Sequence, residues 1–331
     1  MGRKEHPLVS YYQKNQNFAE LMDGWLFHGE GCVSPDQITN QDRRFLAKSG
    51  RKGYRERYRD LYKKVEGVTL HLLISVEHQQ HVHYAMPVRM MDYDSIAYMT
   101  QQAEIADRHE AAGDLTGDER LSGFSKADRL LPVISLVLYC GAEPWDGAKS
   151  LHELLEFGRV PEALRGYIAD YPLHILDVCH TADERLMEFP TDVCAVFLFI
   201  KYKDDPENLM KSLSKIREVR RSTCDAIADC VGERRLKYIR KTEEGGKVKM
   251  CKAIDLLVAD GEKRGIKIGE KRGEKRGIEI GEKRGEKRGI ELGTARERKN
   301  TERERNRAER ERKRAEMAEA RVRELERMLS R

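Results

Sequence analysis

The apolar positions of this 331-residue chain change period several times, and each change marks an element. Leu70, Leu72, Leu73, Ile74 and Val76 form a run of strand length, rich enough in branched side chains to be a mostly buried strand. The run ends in Glu77-His78-Gln79. Side chains alternate along a strand, so Glu77 and Gln79 share a face while His78 points away. Upstream, Tyr58 to Lys64 reads as a second, more polar strand, with Glu66-Gly67 as the turn. The two predict a hairpin that brings Asp60 onto the strand beside Glu77, and two carboxylates so placed could bind a divalent cation.

Tyr11 to Phe27 has Phe18, Leu21, Met22, Trp25 and Leu26 at helical spacing, with Glu20 and Asp23 as neighbours on its polar side. Gly29 to Arg57 is polar and glycine-containing and reads as a long irregular connection. After the hairpin, Met86 to about His109 is helical, with Met86, Met90, Tyr93, Ile96, Ala97 and Met99 marking the buried stripe. Ala111 to Gly123 reads as a loop. Leu130 to Tyr139 is the longest apolar run and reads as a central strand, with Pro132 near its start where a missing donor does least harm. Strand pair, helix and central strand together predict an α/β core in which the helix crosses over the sheet. Further on come a turn-rich loop at 141–147, a short helix from Ser150 to Phe157 and a strand from Tyr171 to Val178. Residues 181–242 read as helical, and Lys249 to Ala259 as a last amphipathic helix.

The tail has two periods. Glycine recurs every fourth residue from Gly261 to Gly293 inside a twelve-residue repeat that also carries Ile266, Ile268, Ile278, Ile280 and Ile290. Glycine costs about 1 kcal/mol per helical position relative to alanine, so this segment alone is a poor helix, although small residues at this spacing would allow helices to approach closely. From Thr294 the glycines stop. Ala308, Glu311, Ala315, Ala318, Val322, Leu325 and Leu329 then alternate three- and four-residue steps, a coiled-coil seam made mostly of alanine until its last turns. A helical self-association element and a solvated charge run both fit this pattern.

Charge sharpens the division. Residues 261–331 carry 25 Lys+Arg against 16 Asp+Glu, a net of +9, whereas residues 1–260 carry 37 against 41, a net of −4. Seven scattered cysteines without a C-x-x-C pair suggest reduced thiols rather than a zinc site or disulfide framework. The N-terminal residues lack the apolar core of a signal peptide, and no run reaches the roughly 18 apolar residues of a membrane span, so a cytoplasmic protein is expected. The expected domains are a core over 1–180, a helical region over 181–260 and the tail over 261–331.

Several short stretches appear in an order that resembles a known family: Phe18-Ala19-Glu20-Leu21, Arg57-Tyr58-Arg59-Asp60, Glu77-His78-Gln79, Tyr84 to Arg89, Leu130 to Val133, Leu138-Tyr139 and Pro144-Trp145-Asp146. With the Lys249 to Ala253 helix and the glycine-spaced tail, the chain resembles the Rpn family of recombination-promoting nucleases and transposases, also called YhgA-like, within the PD-(D/E)XK nuclease superfamily. The resemblance implies an α-β-β-β-α-β core and a DNA endonuclease dependent on Mg²⁺ or Mn²⁺. It implies that Asp60, from the second core strand, and Glu77, from the third, hold the metal. Glu20 would be an accessory acid, with Asp23 as an alternative. Gln79 stands where the superfamily usually has lysine, and Lys63 or Arg89 would then supply the missing positive charge.

Plainer roles compete with these. Asp60 could be a surface acid among Arg55, Arg57 and Arg59. His78, His81 and His83 would share a site with Glu77 only partly, and only if the strand continued, so they are expected to be polar strand-end residues. Trp145 is expected to be a packing anchor. Two functions follow: a metal-dependent DNA endonuclease whose basic tail adds phosphate affinity or assembles the active oligomer, or a catalytically inactive, DNA-associated scaffold of the same fold that self-associates through its tail.

Overall fold

The computed structural model describes residues 6–48, 54–68, 70–232 and 246–329. Its centre is a five-stranded mixed sheet in the order β1 (Ile38–Asn40), β4 (Leu61–Glu66), β5 (His71–Gln79), β6 (Val133–Tyr139), β7 (His174–Asp177). The first three strands pair antiparallel and the last three parallel. Helix α3 (Met86–Ala112) is the crossover between β5 and β6, as a parallel pair requires. The predicted hairpin is present, with Leu61 opposite Val76 and Glu66 opposite His71, but its first strand begins at Leu61 rather than Tyr58, which pairs with Arg44 instead.

Directly paired residues share a face of the sheet, and the two faces bury different things. Leu61, Val65, Ile74, Val76, Leu136, Leu138 and Leu176 join the main apolar core with α1 (Pro7–Tyr12), α2 (Asn15–Phe27) and α7 (Thr191–Lys201). Residues on both sides of position 180 contribute to this one core. The opposite face carries Tyr62, Leu73, Val137 and Tyr139 against Met86, Met90, Tyr93 and Ala97 of α3. Trp145 is buried there, donating its indole N–H to the Gly147 carbonyl (2.8 Å), so it is the packing anchor its turn-rich context suggested.

The differences from expectation have local causes. The Tyr11–Phe27 helix is two helices, because the chain turns at Gln13-Lys14 and the buried Lys63 ammonium binds both the Gln13 carbonyl (2.6 Å) and Asn15 Oδ1 (2.8 Å). The 29–57 connection holds β1 and a separate antiparallel ribbon of β2 (Arg44–Lys48) and β3 (Tyr54–Tyr58), whose charged residues hid the strand alternation. Met99 of the expected stripe is 64% exposed, while Asp94 lies on the buried side instead. The 111–123 loop contains the short α4 (Asp118–Ser122), and the 150–157 helix is only a 3₁₀ turn at His152–Leu154. The 181–242 region holds α6 (Asp183–Leu186), α7, α8 (Pro206–Leu213) and α9 (Arg221–Val231), with β8 (Glu218–Arg220) pairing β9 (Lys247–Lys249). Its last residues, 233–242, lie outside the described part.

The molecule divides into two compact units, Met1–Leu257 and Val258–Arg331. The second consists of most of α10 (Met250–Leu329), which is continuous through the glycine repeat. A Cβ added at any glycine from Gly269 to Gly293 would meet open space. No described helix is long and apolar enough to cross a membrane.

Candidate active site

Asp60 precedes β4 at the point where the β4–β5 register, extended by one residue, places it opposite Glu77. Two hydrogen bonds tie Asp60 to this strand end. The Asp60 amide donates to Glu77 Oε1 (3.2 Å), and Asp60 Oδ2 accepts from the His78 amide (2.9 Å). Glu77 is fully buried, and its second oxygen, Oε2, accepts from Arg89 Nη2 (2.9 Å). Burial, reinforced by the Asp60 charge, pushes the Glu77 carboxyl up to about 8 against the opposing pull of Arg89.

Arg89 is therefore the cation that meets this pair. It stands on the first turn of α3, over the same face of the sheet, and donates a second hydrogen bond from Nε to the Tyr93 hydroxyl (3.2 Å). Tyr93 in turn donates to the Tyr58 carbonyl (3.3 Å). Lys63, the other candidate, pairs with Ile74 and so faces the main core, on the side of the sheet away from Glu77. Alternation alone settles that choice once the register is known.

Gln79 is half-buried two residues beyond Glu77 on the same face. Its carbonyl accepts from the Cys140 amide (2.9 Å), and its side-chain amide makes no hydrogen bond among the described residues. Glu20 belongs to another cluster: both its oxygens are taken by the Arg220 guanidinium, and Gln16 donates to Oε1 as well (2.8 Å). Asp23 is buried and accepts from the Gly31 and Cys32 amides (2.9 and 2.6 Å), fixing the turn after α2. Neither is hydrogen-bonded to Asp60 or Glu77.

The histidines separate. His78 points to the opposite face and stacks on His6, with ring centroids 3.8 Å apart; burial, then the neighbouring His6, lowers it to about 3. The strand ends at Gln79, leaving His81 and His83 exposed in the following bend. Among the described residues no group of three or more His, Cys, Asp or Glu side chains could hold a metal ion.

Below the pair lies a buried polar cluster. Arg59 and Asp94 form an ion pair (3.1 Å) with side chains 0% and 6% exposed. Ser135 also donates to Asp94 Oδ1 (2.6 Å), the Tyr171 hydroxyl donates to Oδ2, and the Arg59 guanidinium lies over the rings of Tyr62 and Tyr93. Sequence reasoning passed over Asp94. The available signal was a carboxylate between Tyr93 and Ala97 on a buried helical stripe, which demands a partner.

The fold and this arrangement define a mixed α/β protein with a five-stranded sheet and paired carboxylates at a strand end. A family model described as "Putative transposase, YhgA-like" matches residues 51–226, and the chain belongs to that family. The match includes Asp60, Glu77, Gln79, Arg89 and Asp94 but not Glu20 or the tail. No curated protein and no solved structure matches the chain.

Proposed function

We propose that the protein is a divalent-metal-dependent DNA endonuclease of the PD-(D/E)XK type, hydrolysing phosphodiester bonds in the service of recombination or transposition. The observation that carries this reading is the meeting of Asp60 and Glu77 on paired strand ends with Arg89 against Glu77. The order α2–β1–β4–β5–α3–β6 fits the α-β-β-β-α-β core, with Asp60 at its second strand and Glu77 on its third.

Asp60 and Glu77 would hold Mg²⁺ or Mn²⁺. The donor set suits such an ion, since magnesium is usually bound through one or two carboxylates with water and substrate phosphate rather than an all-protein cage. Glu77 also fits, because a buried carboxyl held protonated beside a second carboxylate gains from a cation more than a solvated one does. When bound, the metal supplies an acidified water and neutralises phosphate charge. Arg89 orients Glu77 and supplies, from the helix, the fixed positive charge that lysine would supply at Gln79. The Gln79 amide, uncommitted among the described residues, can orient water by hydrogen bonding. Glu20 holds α2 to Arg220.

Cutting both strands of DNA takes two active sites, and the seam of the tail offers a route to self-association. The second reading, a catalytically inactive DNA-associated scaffold, is favoured by Gln79 and by the commitment of Glu77 Oε2 to Arg89. Plasmid DNA incubated with and without Mg²⁺ or Mn²⁺ decides between them. Wild type should nick in the presence of metal, and Asp60→Ala and Glu77→Ala should lose at least a hundredfold in rate. Equal residual nicking in all three would leave the scaffold.

A further inference from the structure

The β2–β3 ribbon is a sheet by itself, five residue pairs long, from Arg44 opposite Tyr58 to Lys48 opposite Tyr54. We propose that it is a DNA-engaging arm that enters the major groove and presents the duplex to the Asp60–Glu77 pair. This inference rests on the endonuclease reading above and names the element that would grip the substrate.

Charge is the first support. The two arms, residues 43–48 and 54–59, contain Arg43, Arg44, Lys48, Arg55, Arg57 and Arg59 against a single acid, Glu56. That net of +5 stands within residues 1–260 that are net −4 as a whole, so the rest of that body is more acidic still. Phosphate contacts provide most of the sequence-independent affinity for DNA; Arg59 is buried against Asp94 and belongs to the root, so the cations of the two strands themselves are Arg44, Lys48, Arg55 and Arg57. In register, Arg57 and Arg55 lie opposite Phe45 and Ala47, and Arg44 and Lys48 lie opposite Tyr58 and Tyr54.

Anchorage is the second. The Arg59 amide donates to the Arg43 carbonyl (3.0 Å), and Arg43 Nη1 donates to the Asp60 carbonyl (2.8 Å), tying both arms to the residue that begins the site. The buried Arg59–Asp94 pair fixes the root to α3. The nearest strand cation, Arg57, is thus three residues of backbone from Asp60.

Shape is the third. Five residues at about 3.4 Å give arms roughly 17 Å long, and the B-DNA major groove, about 12 Å wide, admits a two-stranded ribbon. The deep, narrow major groove of A-form RNA does not. A two-stranded ribbon is marginal on its own in water, which fits an element completed by its ligand. Charged residues along both edges oppose strand addition by a second copy.

The test uses the full chain in EDTA, where no cleavage occurs, with a fluorescent 20-base-pair DNA duplex read by anisotropy over a salt series. Arg44→Ala/Lys48→Ala/Arg55→Ala/Arg57→Ala should weaken binding at least tenfold and flatten the slope of log K against log salt by about 3.6, since each lost phosphate contact removes about 0.9. Should that variant not fold, Arg44→Gln/Lys48→Gln is read instead, with a slope change of about two on the same basis. Unchanged affinity and slope in a folded variant, with wild type binding DNA, overturns the arm but leaves the nuclease reading standing. Wild type that binds no duplex DNA overturns both. Equal affinity for a duplex RNA of the same sequence overturns the groove assignment.

Discussion

Glu77 is the residue on which most depends. Its carboxyl is held near 8 by burial and by Asp60, against 4.5 when unfolded. A group with a raised folded pKa stabilises the fold below its unfolded pKa and loses that contribution as pH rises through the folded one. In EDTA the protein should therefore lose stability between about pH 4.5 and 8, and Glu77→Gln should abolish that loss and melt higher than wild type at pH 8. Added Mg²⁺ should restore the wild-type melting temperature at pH 8 and leave the variant unmoved; thermal melts across pH check both. Asp94 makes a different demand. Asp94→Ala removes the carboxylate that Arg59, Ser135 and Tyr171 share, and breaking a buried pair costs about 3–5 kcal/mol. Urea unfolding should show a loss of that size, whereas Asp94→Asn, which keeps an acceptor, should lose less.

At the scale of elements, the two repeating segments of α10 differ in what they can bury. A twelve-residue period advances about 120° beyond whole turns at 100° per residue. The isoleucines at 266, 278 and 290 thus face three directions, and Ile266 and Ile278 are 63% and 56% exposed. No straight apolar face runs along this part, so its glycines act as helix weakeners in a charged rod rather than as a contact stripe. Gly277→Ala/Gly281→Ala should raise helicity by circular dichroism, with about 1 kcal/mol gained per position, and leave the sedimentation coefficient unchanged. A change in mass would show that the glycine face packs against another helix. The hairpin β4–β5 teaches the opposite lesson: a continuous apolar run of branched residues made β5 readable, whereas β2 and β3, RFLAK and YRERY, are short and interrupted by charge.

For the molecule as a whole, association would have to come from the heptads beyond Ala308. Taking Ala308, Ala315, Val322 and Leu329 as one seam position, a parallel pair sets Arg314 against Glu319 of a second copy and Arg321 against Glu326, while an antiparallel pair sets arginine against arginine. Parallel self-association is expected, with the N-terminal ends of the two helices together. Sedimentation of full-length protein against a truncation after Asp260 should show a loss of mass. Glu319→Arg/Glu326→Arg should dissociate the assembly, and adding Arg314→Glu/Arg321→Glu should restore it.

Patterning alone determined the α/β class, the β5–α3–β6 crossover, the two parts of the tail and the placing of Asp60 beside Glu77. These are consequences of local period, which a linear sequence records. Only the tertiary structure decided which cation serves the carboxylates, since Lys63 and Arg89 differ in which side of one sheet they occupy. It alone gave Glu20 to Arg220, two hundred positions away in the chain, and Asp94 to Arg59. Partnership of charges is set by which surfaces meet in space, and residues far apart in sequence carry no local mark of it.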